Sequence, residues 1–197
     1  MRNLFCSELA GLGTLALVVG VMAGTARASE KRELPLVFSG GHDIGRNDYG
    51  RPVPLIAAAL GVTPDQFREA FRGVTPAKGR GPTGAEARKN KAALMKVLGP
   101  LGVTNERLDE VSNYYRFRPQ DGELWKTAPA KGYAVVNGGK VEKVVVTERG
   151  SGYSTPPKVT VQGIEGVALK ATLHLDRDLR KNGAIASVEL ADPKPAR

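Results

Sequence analysis

The stretch LGVTPDQFREAF at residues 60–71 decides how the first half of this chain folds. Gly61 is a residue type that ends helices, and Thr63, with a glutamine three positions later, forms the capping box that begins the next helix. Phe67 and the phenylalanine four positions after it predict one apolar face on that helix. The letters LGVT recur at residues 101–104. The repeat predicts two helix–turn–helix pairs, and hence four helices, whose apolar faces pack together.

Beyond residue 132 the apolar residues change from helical spacing to alternation, which is typical of strands. The turn signal Asn137-Gly138-Gly139 predicts a hairpin. The segments with strand character lie at 133–136, 141–147, 159–161, 167–175 and 185–190. The chain is therefore predicted to be an α+β protein, with a four-helix N-terminal half and a small antiparallel all-β C-terminal half of about five strands.

The first 28 residues have the pattern of a secretory signal peptide. Arg2 provides the positive charge, residues 9–24 form an uncharged apolar run, and small residues follow, so cleavage is expected between Ala28 and Ser29. An uncleaved membrane anchor is the alternative, but a run of 16 residues is short for a span. The sequence predicts a secreted or periplasmic protein with no membrane span after cleavage. The expected order is signal peptide 1–28, helical domain 29–131, β domain 132–191 and frayed tail 192–197.

Composition and charge exclude several classes of protein. The 197 residues include 29 Lys+Arg against 20 Asp+Glu, a formal net charge of +9, and 41% of them are hydrophobic, as in a globular fold. The single cysteine, Cys6, lies in the predicted signal peptide, so the mature chain is expected to have none. A chain without cysteine is not a disulfide scaffold, a thiol enzyme or a thiolate metal site.

The positive charge is concentrated between residues 76 and 99, where a single glutamate accompanies six cations. These are Lys78, Arg80, Arg88, Lys89, Lys91 and Lys96. Such a segment could dock on an anionic polysaccharide, an anionic envelope surface or nucleic acid. The alternative is a solvated helix face without a partner.

Aromatic residues cluster where the helical half gives way to the strands. The cluster consists of Tyr114, Tyr115, Phe117, Trp125 and Tyr133, with Arg116 and Arg118 interleaved. Rings beside guanidinium planes can form a stacking platform for sugars or bases. The alternative is that these rings pack in the core or between the two halves.

A polar, glycine-rich segment at residues 38–50 contains His42, Asp43 and Asp48, which could form a metal or acid–base site. The segment matches no phosphate-binding, zinc or calcium motif, so a structural loop is the alternative. The chain also has no nucleophile elbow of the G-x-S-x-G type. The sequence therefore favours a noncatalytic protein without cofactor or metal. A small secreted hydrolase centred on His42 and Asp43 is the competing interpretation.

Two resemblances add to this reading. GSGYSTPP at residues 150–157, between valine-rich runs, resembles the GSGY-type β repeats of exported bacterial proteins, where glycines allow positive φ and prolines end strand pairing. The helical half looks like the front half of exported bacterial proteins of unknown function. The resemblance implies export and a two-part organisation, and it implies no activity.

Residues 55–71 also resemble a DNA-binding helix–turn–helix, with the helix from Pro64 as the recognition helix. The second copy has Leu98 where the first has Ala57, and an exported protein rarely meets regulatory DNA, so both points argue against specific DNA binding. The sequence thus predicts an exported binding or structural module of the envelope or extracellular space, with polyanions or carbohydrate as its partners.

Overall fold

The computed structural model describes residues 30–75, 82–118 and 121–191. The predicted cleavage site between Ala28 and Ser29, the cations Lys78 and Arg80, and the tail at 192–197 lie outside the described residues. In chain order the elements are β1 (Arg32–Ser39), α1 (Val53–Leu60), α2 (Pro64–Arg72), α3 (Gly84–Leu98), α4 (Asn105–Tyr114), β2 (Lys131–Asn137), β3 (Lys140–Glu148), β4 (Lys158–Val161), β5 (Ile164–His174) and β6 (Ala184–Leu190). The predicted α+β organisation, with four helices followed by an antiparallel sheet, is confirmed.

The helices begin and end where the local sequence predicts. The Thr63 hydroxyl accepts the N–H of Gln66 at 3.2 Å, and the Gln66 side chain accepts the N–H of Thr63 at 2.8 Å. Thr83 forms the same box at the start of α3, and Thr104 caps α4. Gly61 ends α1 with φ +73, the left-handed conformation that glycine adopts at little cost.

The helices share one apolar core that also takes in residues from outside them. Tyr115, Trp125 and Leu179 are buried in this cluster although none lies in a helix. The helical residues buried there are Val53, Leu55, Ile56, Ala57, Ala59, Leu60, Phe67, Ala70, Leu98, Leu108 and Val111. Since Leu179 belongs to the connection between β5 and β6, the core of the helices is completed by the strand half.

The six strands form a single antiparallel sheet in the order β3-β2-β1-β4-β5-β6. The sequence analysis predicts no strand before residue 133, whereas β1 lies near the centre of this sheet. Its first half pairs with β2 and its second half with β4. Pro35 and the two charged residues at the start of β1 make this strand hard to recognise from the sequence. Proline has no backbone N–H to donate to a neighbouring strand, so it is rare in central strands.

The sheet curls until its two end strands meet. The N–H of Ile185 in β6 donates to the carbonyl of Arg149, the residue after β3, at 2.9 Å. The Arg149 guanidinium returns two hydrogen bonds of 2.8 Å to the carbonyls of Ile185 and Ala186. These contacts occupy backbone groups that an open edge strand would leave unpaired.

Within the residues that the structure describes, no helix is both long and apolar enough to cross a membrane.

Candidate functional site

The loop that carries His42 and Asp43 is tied to the GSGYSTPP segment. The carbonyl of Gly41 accepts the N–H groups of Ser154 and Thr155 at 2.9 and 3.2 Å. The Thr155 hydroxyl donates to the Asp43 carboxylate at 2.9 Å, and the Ser154 hydroxyl donates to the Asp43 carbonyl at 2.8 Å. Both hydroxyls therefore bond Asp43, and these contacts anchor the loop after β1 to the segment that leads into β4.

The imidazole of His42 packs among aromatic rings. It stacks on Tyr153 with ring centroids 5.1 Å apart and planes at 27°, and it lies 5.9 Å from Trp125. Burial lowers the pKa of His42, although the neighbouring Asp43 charge acts in the opposite direction. The ring is consequently neutral at pH 7, and its surroundings are those of a packed side chain.

The third candidate of this loop, Asp48, lies elsewhere. It is buried, and its carboxylate accepts the Nε–H of Arg68 on α2 at 2.8 Å. His42, Asp43 and Asp48 therefore do not converge on one centre. In the described ranges, no group of three or more His, Cys, Asp or Glu side chains could hold a metal ion.

Two members of the aromatic cluster are core residues. Tyr115 and Trp125 are buried, so they are not available as a stacking platform. The indole Nε1–H donates to the carbonyl of Gly152 at 2.8 Å. Tyr114 is half-buried against Tyr115 with Lys126 5.5 Å from its ring centroid, while Arg116 and Arg118 are exposed. Packing thus accounts for the two buried rings. Tyr114, Phe117 and Tyr133 are half-buried, so they and the two arginines reach the surface.

Asn182, in the connection between β5 and β6, bonds the strand half to the helical half. Asn182 is fully buried, and its Nδ2 donates to the carbonyl of Leu55 at 2.7 Å and to the hydroxyl of Tyr115 at 2.9 Å. Its Oδ1 accepts the N–H of Asp176 at 3.1 Å. An asparagine before a glycine is the ordinary signal of a turn, so nothing local distinguishes this one.

The structure separates the predicted basic residues of α3 into two kinds. Lys91 is paired with Asp109 on α4, with Nζ and Oδ2 2.7 Å apart. Arg88, Lys89 and Lys96 are exposed and make no ion pair with any described residue. We call these three side chains the α3 cation face.

A groove that the sequence analysis did not predict lies between the loop at residues 45–51 and helix α2. Its volume is about 1200 Å³. The floor and walls include Val53, Phe67, Phe71 and Val74 together with four arginines and three carboxylates. The carboxylates are Asp48, Asp65 and Glu69, and the arginines are Arg46, Arg51, Arg68 and Arg72. We call this site the Arg51 groove.

The loop side of the Arg51 groove has an unusual local structure. The Arg51 guanidinium lies 3.9 Å above the centroid of the Phe71 ring and donates to the carbonyl of Tyr49 at 2.8 Å. Burial lowers the pKa of Arg51, which still leaves it charged at pH 7. Tyr49 is 78% exposed and has φ 48° and ψ 46°. Among the described residues it is the only one other than glycine with positive φ.

Comparison with protein-family models, curated proteins and solved structures gives no match for this chain.

Proposed function

We propose that this protein is an exported, noncatalytic binding module for an anionic polymer, such as an acidic polysaccharide of the envelope, and that the α3 cation face is its contact surface. The observation that carries the proposal is the state of Arg88, Lys89 and Lys96. They are exposed, and no described carboxylate pairs with them, whereas Lys91 on the same helix is neutralised by Asp109.

The spacing of these cations suits a linear polyanion. Lys89 and Lys96 are seven residues apart, so they lie on one side of α3 at a separation of about 10 Å along its axis. Arg88 extends the same positive field around the helix. Exposed charges at this spacing attract a polymer through a field that salt screens over about 8–10 Å at physiological ionic strength. Such binding needs no enclosed pocket and recognises charge density.

The contacts of the polar groups in and around the His42 loop support the noncatalytic assignment. The Ser154 and Thr155 hydroxyls bond Asp43, and the imidazole of His42 packs on Tyr153. A hydrolase would instead place a nucleophile or a water beside the base.

Binding of nucleic acid through α2 is a weaker alternative. Asp65 and Glu69 on that helix pair with Arg68 and Arg72, so its surface offers phosphate little net positive charge.

Salt-dependent retention of the mature chain on a heparin column tests the contact surface. The variant Arg88→Gln/Lys89→Gln/Lys96→Gln removes the α3 cation face, and glutamine keeps the helix propensity. A matched control, Lys143→Gln/Lys158→Gln/Lys170→Gln, removes three exposed charges from the sheet instead. We expect the α3 variant to elute at clearly lower salt than both the wild type and the control.

Two outcomes contradict the proposed contact surface. In the first, the two triple variants lose retention on heparin equally, which would show that retention depends on net charge alone. In the second, the wild type is not retained.

The export part of the proposal has its own test. Intact-mass analysis of the protein made in a Gram-negative host is expected to give a chain that begins at Ser29.

A further inference from the structure

We propose that the Arg51 groove binds a carboxylate-bearing sugar, that is, a uronate residue of an acidic oligosaccharide. In this site Arg51 pairs with the carboxylate, and the exposed ring of Tyr49 stacks on the sugar. The inference rests on the proposed function, since it names the chemical class of the anionic polymer. It assigns a second, short-range contact separate from the α3 cation face.

The charge of the groove is unbalanced on one side. All three carboxylates that line the groove form ion pairs with arginines of α2. Arg68 pairs with Asp48 and Asp65, and Arg72 pairs with Glu69. On the opposite side, Arg46 and Arg51 meet no carboxylate among the described residues. The unpaired charge in the groove is therefore positive and lies on the loop at residues 45–51.

Arg51 has the properties of a carboxylate receptor. Its Cζ lies 3.9 Å from the centroid of the Phe71 ring, a contact that restrains the guanidinium, and one N–H donates to the carbonyl of Tyr49. A guanidinium has five N–H donors, so donors remain for a bidentate pair with a carboxylate. Because Arg51 is half-buried, water screens its charge less than that of an exposed arginine. A charge removed from water without a partner gains most from an arriving anion.

Tyr49 gives the site its preference for a ring. A tyrosine in the left-handed region costs free energy, and an aromatic ring that is 78% exposed buries little surface in return. The turn is held by the N–H of Arg51 on the carbonyl of Asp48 at 3.0 Å, in addition to the Arg51 side chain. The strained conformation places the ring at the mouth of the groove, where it can cover the apolar face of a sugar.

The buried pair of Asp48 and Arg68 positions this loop. Asp48 accepts Arg68 Nε–H at 2.8 Å from within the short 3-10 turn at Arg46–Asp48, and the same guanidinium donates to Asp65 at 2.8 Å. Asp48 is thus a positioning residue that connects the loop to α2. The groove of about 1200 Å³ exceeds the usual range of about 300–1,000 Å³ for a small-ligand pocket and suits several linked sugars.

Calorimetric titration of the mature chain with trigalacturonate at 0.15 M salt tests the assignment. The fully methyl-esterified trisaccharide is the matched ligand, because it keeps the rings and loses the charges. We expect the wild type to bind the free acid and the ester to bind at least tenfold more weakly.

Four variants separate the contributions. Arg51→Gln is expected to weaken binding of the free acid about tenfold or more, and Arg51→Lys by a smaller factor because lysine lacks the planar fork. Tyr49→Gly removes the ring and suits the positive φ, so it is expected to weaken binding several-fold while the thermal midpoint stays the same or rises. The α3 triple glutamine variant is expected to bind the trisaccharide like the wild type.

The assignment is overturned if the wild type does not bind trigalacturonate, if the ester binds equally well, or if Arg51→Gln binds like the wild type. These failures are distinct from failure of the proposed function. Heparin retention through the α3 cation face can persist without trisaccharide binding, and trisaccharide binding can persist in the α3 variant.

Discussion

Replacing Gly152 by alanine tests whether the turn of the GSGYSTPP segment depends on close backbone contact. The positive φ predicted for this glycine is confirmed at +83°. A Cβ at this position would lie 2.8 Å from the carbonyl oxygen of Lys126 and 3.0 Å from Cγ2 of Thr127. Gly163 provides a matched control, because its φ is +75° and a Cβ there would meet nothing within 4 Å.

The two substitutions share one cost and differ in another. An L-residue in the left-handed region costs about 1–2 kcal/mol, and both variants bear it. Overpacking against the Lys126 carbonyl adds about 1–3 kcal/mol at Gly152 alone. We therefore expect Gly152→Ala to lower the free energy of unfolding by about 2–5 kcal/mol and Gly163→Ala by about 1–2 kcal/mol.

Urea unfolding of the protein at pH 7 measures both values. The single tryptophan of the chain, Trp125, donates to the carbonyl of Gly152, so its fluorescence also reports on the altered turn. The midpoint is expected to fall further for Gly152→Ala than for Gly163→Ala at an unchanged slope. Equal losses of unfolding free energy in the two variants would refute the argument from close backbone contact, because the backbone strain that both variants share would then explain the whole effect.

Two further variants test the buried polar contacts. Asn182→Ala leaves the Leu55 carbonyl, the Tyr115 hydroxyl and the Asp176 N–H without their partner. The free energy of unfolding, measured by urea titration, is therefore expected to fall by about 3 kcal/mol. A loss below about 0.5 kcal/mol would contradict this role of Asn182. His42→Gln is expected to weaken the pH dependence of stability. In the wild type, the imidazole of the unfolded chain takes up a proton as the pH falls through 6.5, whereas the imidazole of the folded chain has a lower pKa and stays neutral for longer. The wild type therefore loses stability below pH 6.5. Thermal melts from pH 7.5 to 5.0 compare the two proteins, and parallel curves would show that His42 makes no such contribution.

The helix boundaries could be predicted because each depends on residues within one turn. The Thr63–Gln66 box and the Gly61 terminus are formed by neighbours in the chain, and the alternation after residue 132 follows from one face of a sheet being buried. The hairpin predicted at Asn137-Gly138-Gly139 also depends on neighbouring residues, and both of its glycines have positive φ. These signals suffice for the fold class and for the order of the helices and of the strands that follow them, but not for β1.

The surroundings of the candidate site residues could not be predicted from the sequence, because burial and pairing are not local properties. The sequence cannot distinguish Lys91, which Asp109 neutralises, from Lys96, which remains exposed. In the same way, Trp125 and Tyr114 belong to one aromatic cluster in the sequence, yet one ring is buried in the core and the other reaches the surface.

The sequence by itself determined where helices start, where strands alternate and where the chain turns, because those choices are made by side chains a few positions apart. Only the tertiary structure decided the place of β1 within the sheet and the role of Asn182. The amide of Asn182 donates to the carbonyl of Leu55, which lies 127 residues earlier in the chain. It also decided that Arg51 lines the groove without a carboxylate partner among the described residues, while Arg68 pairs with two. Hydrogen bonds and ion pairs depend on separations of a few ångströms in space, and only the folded chain brings such distant residues that close.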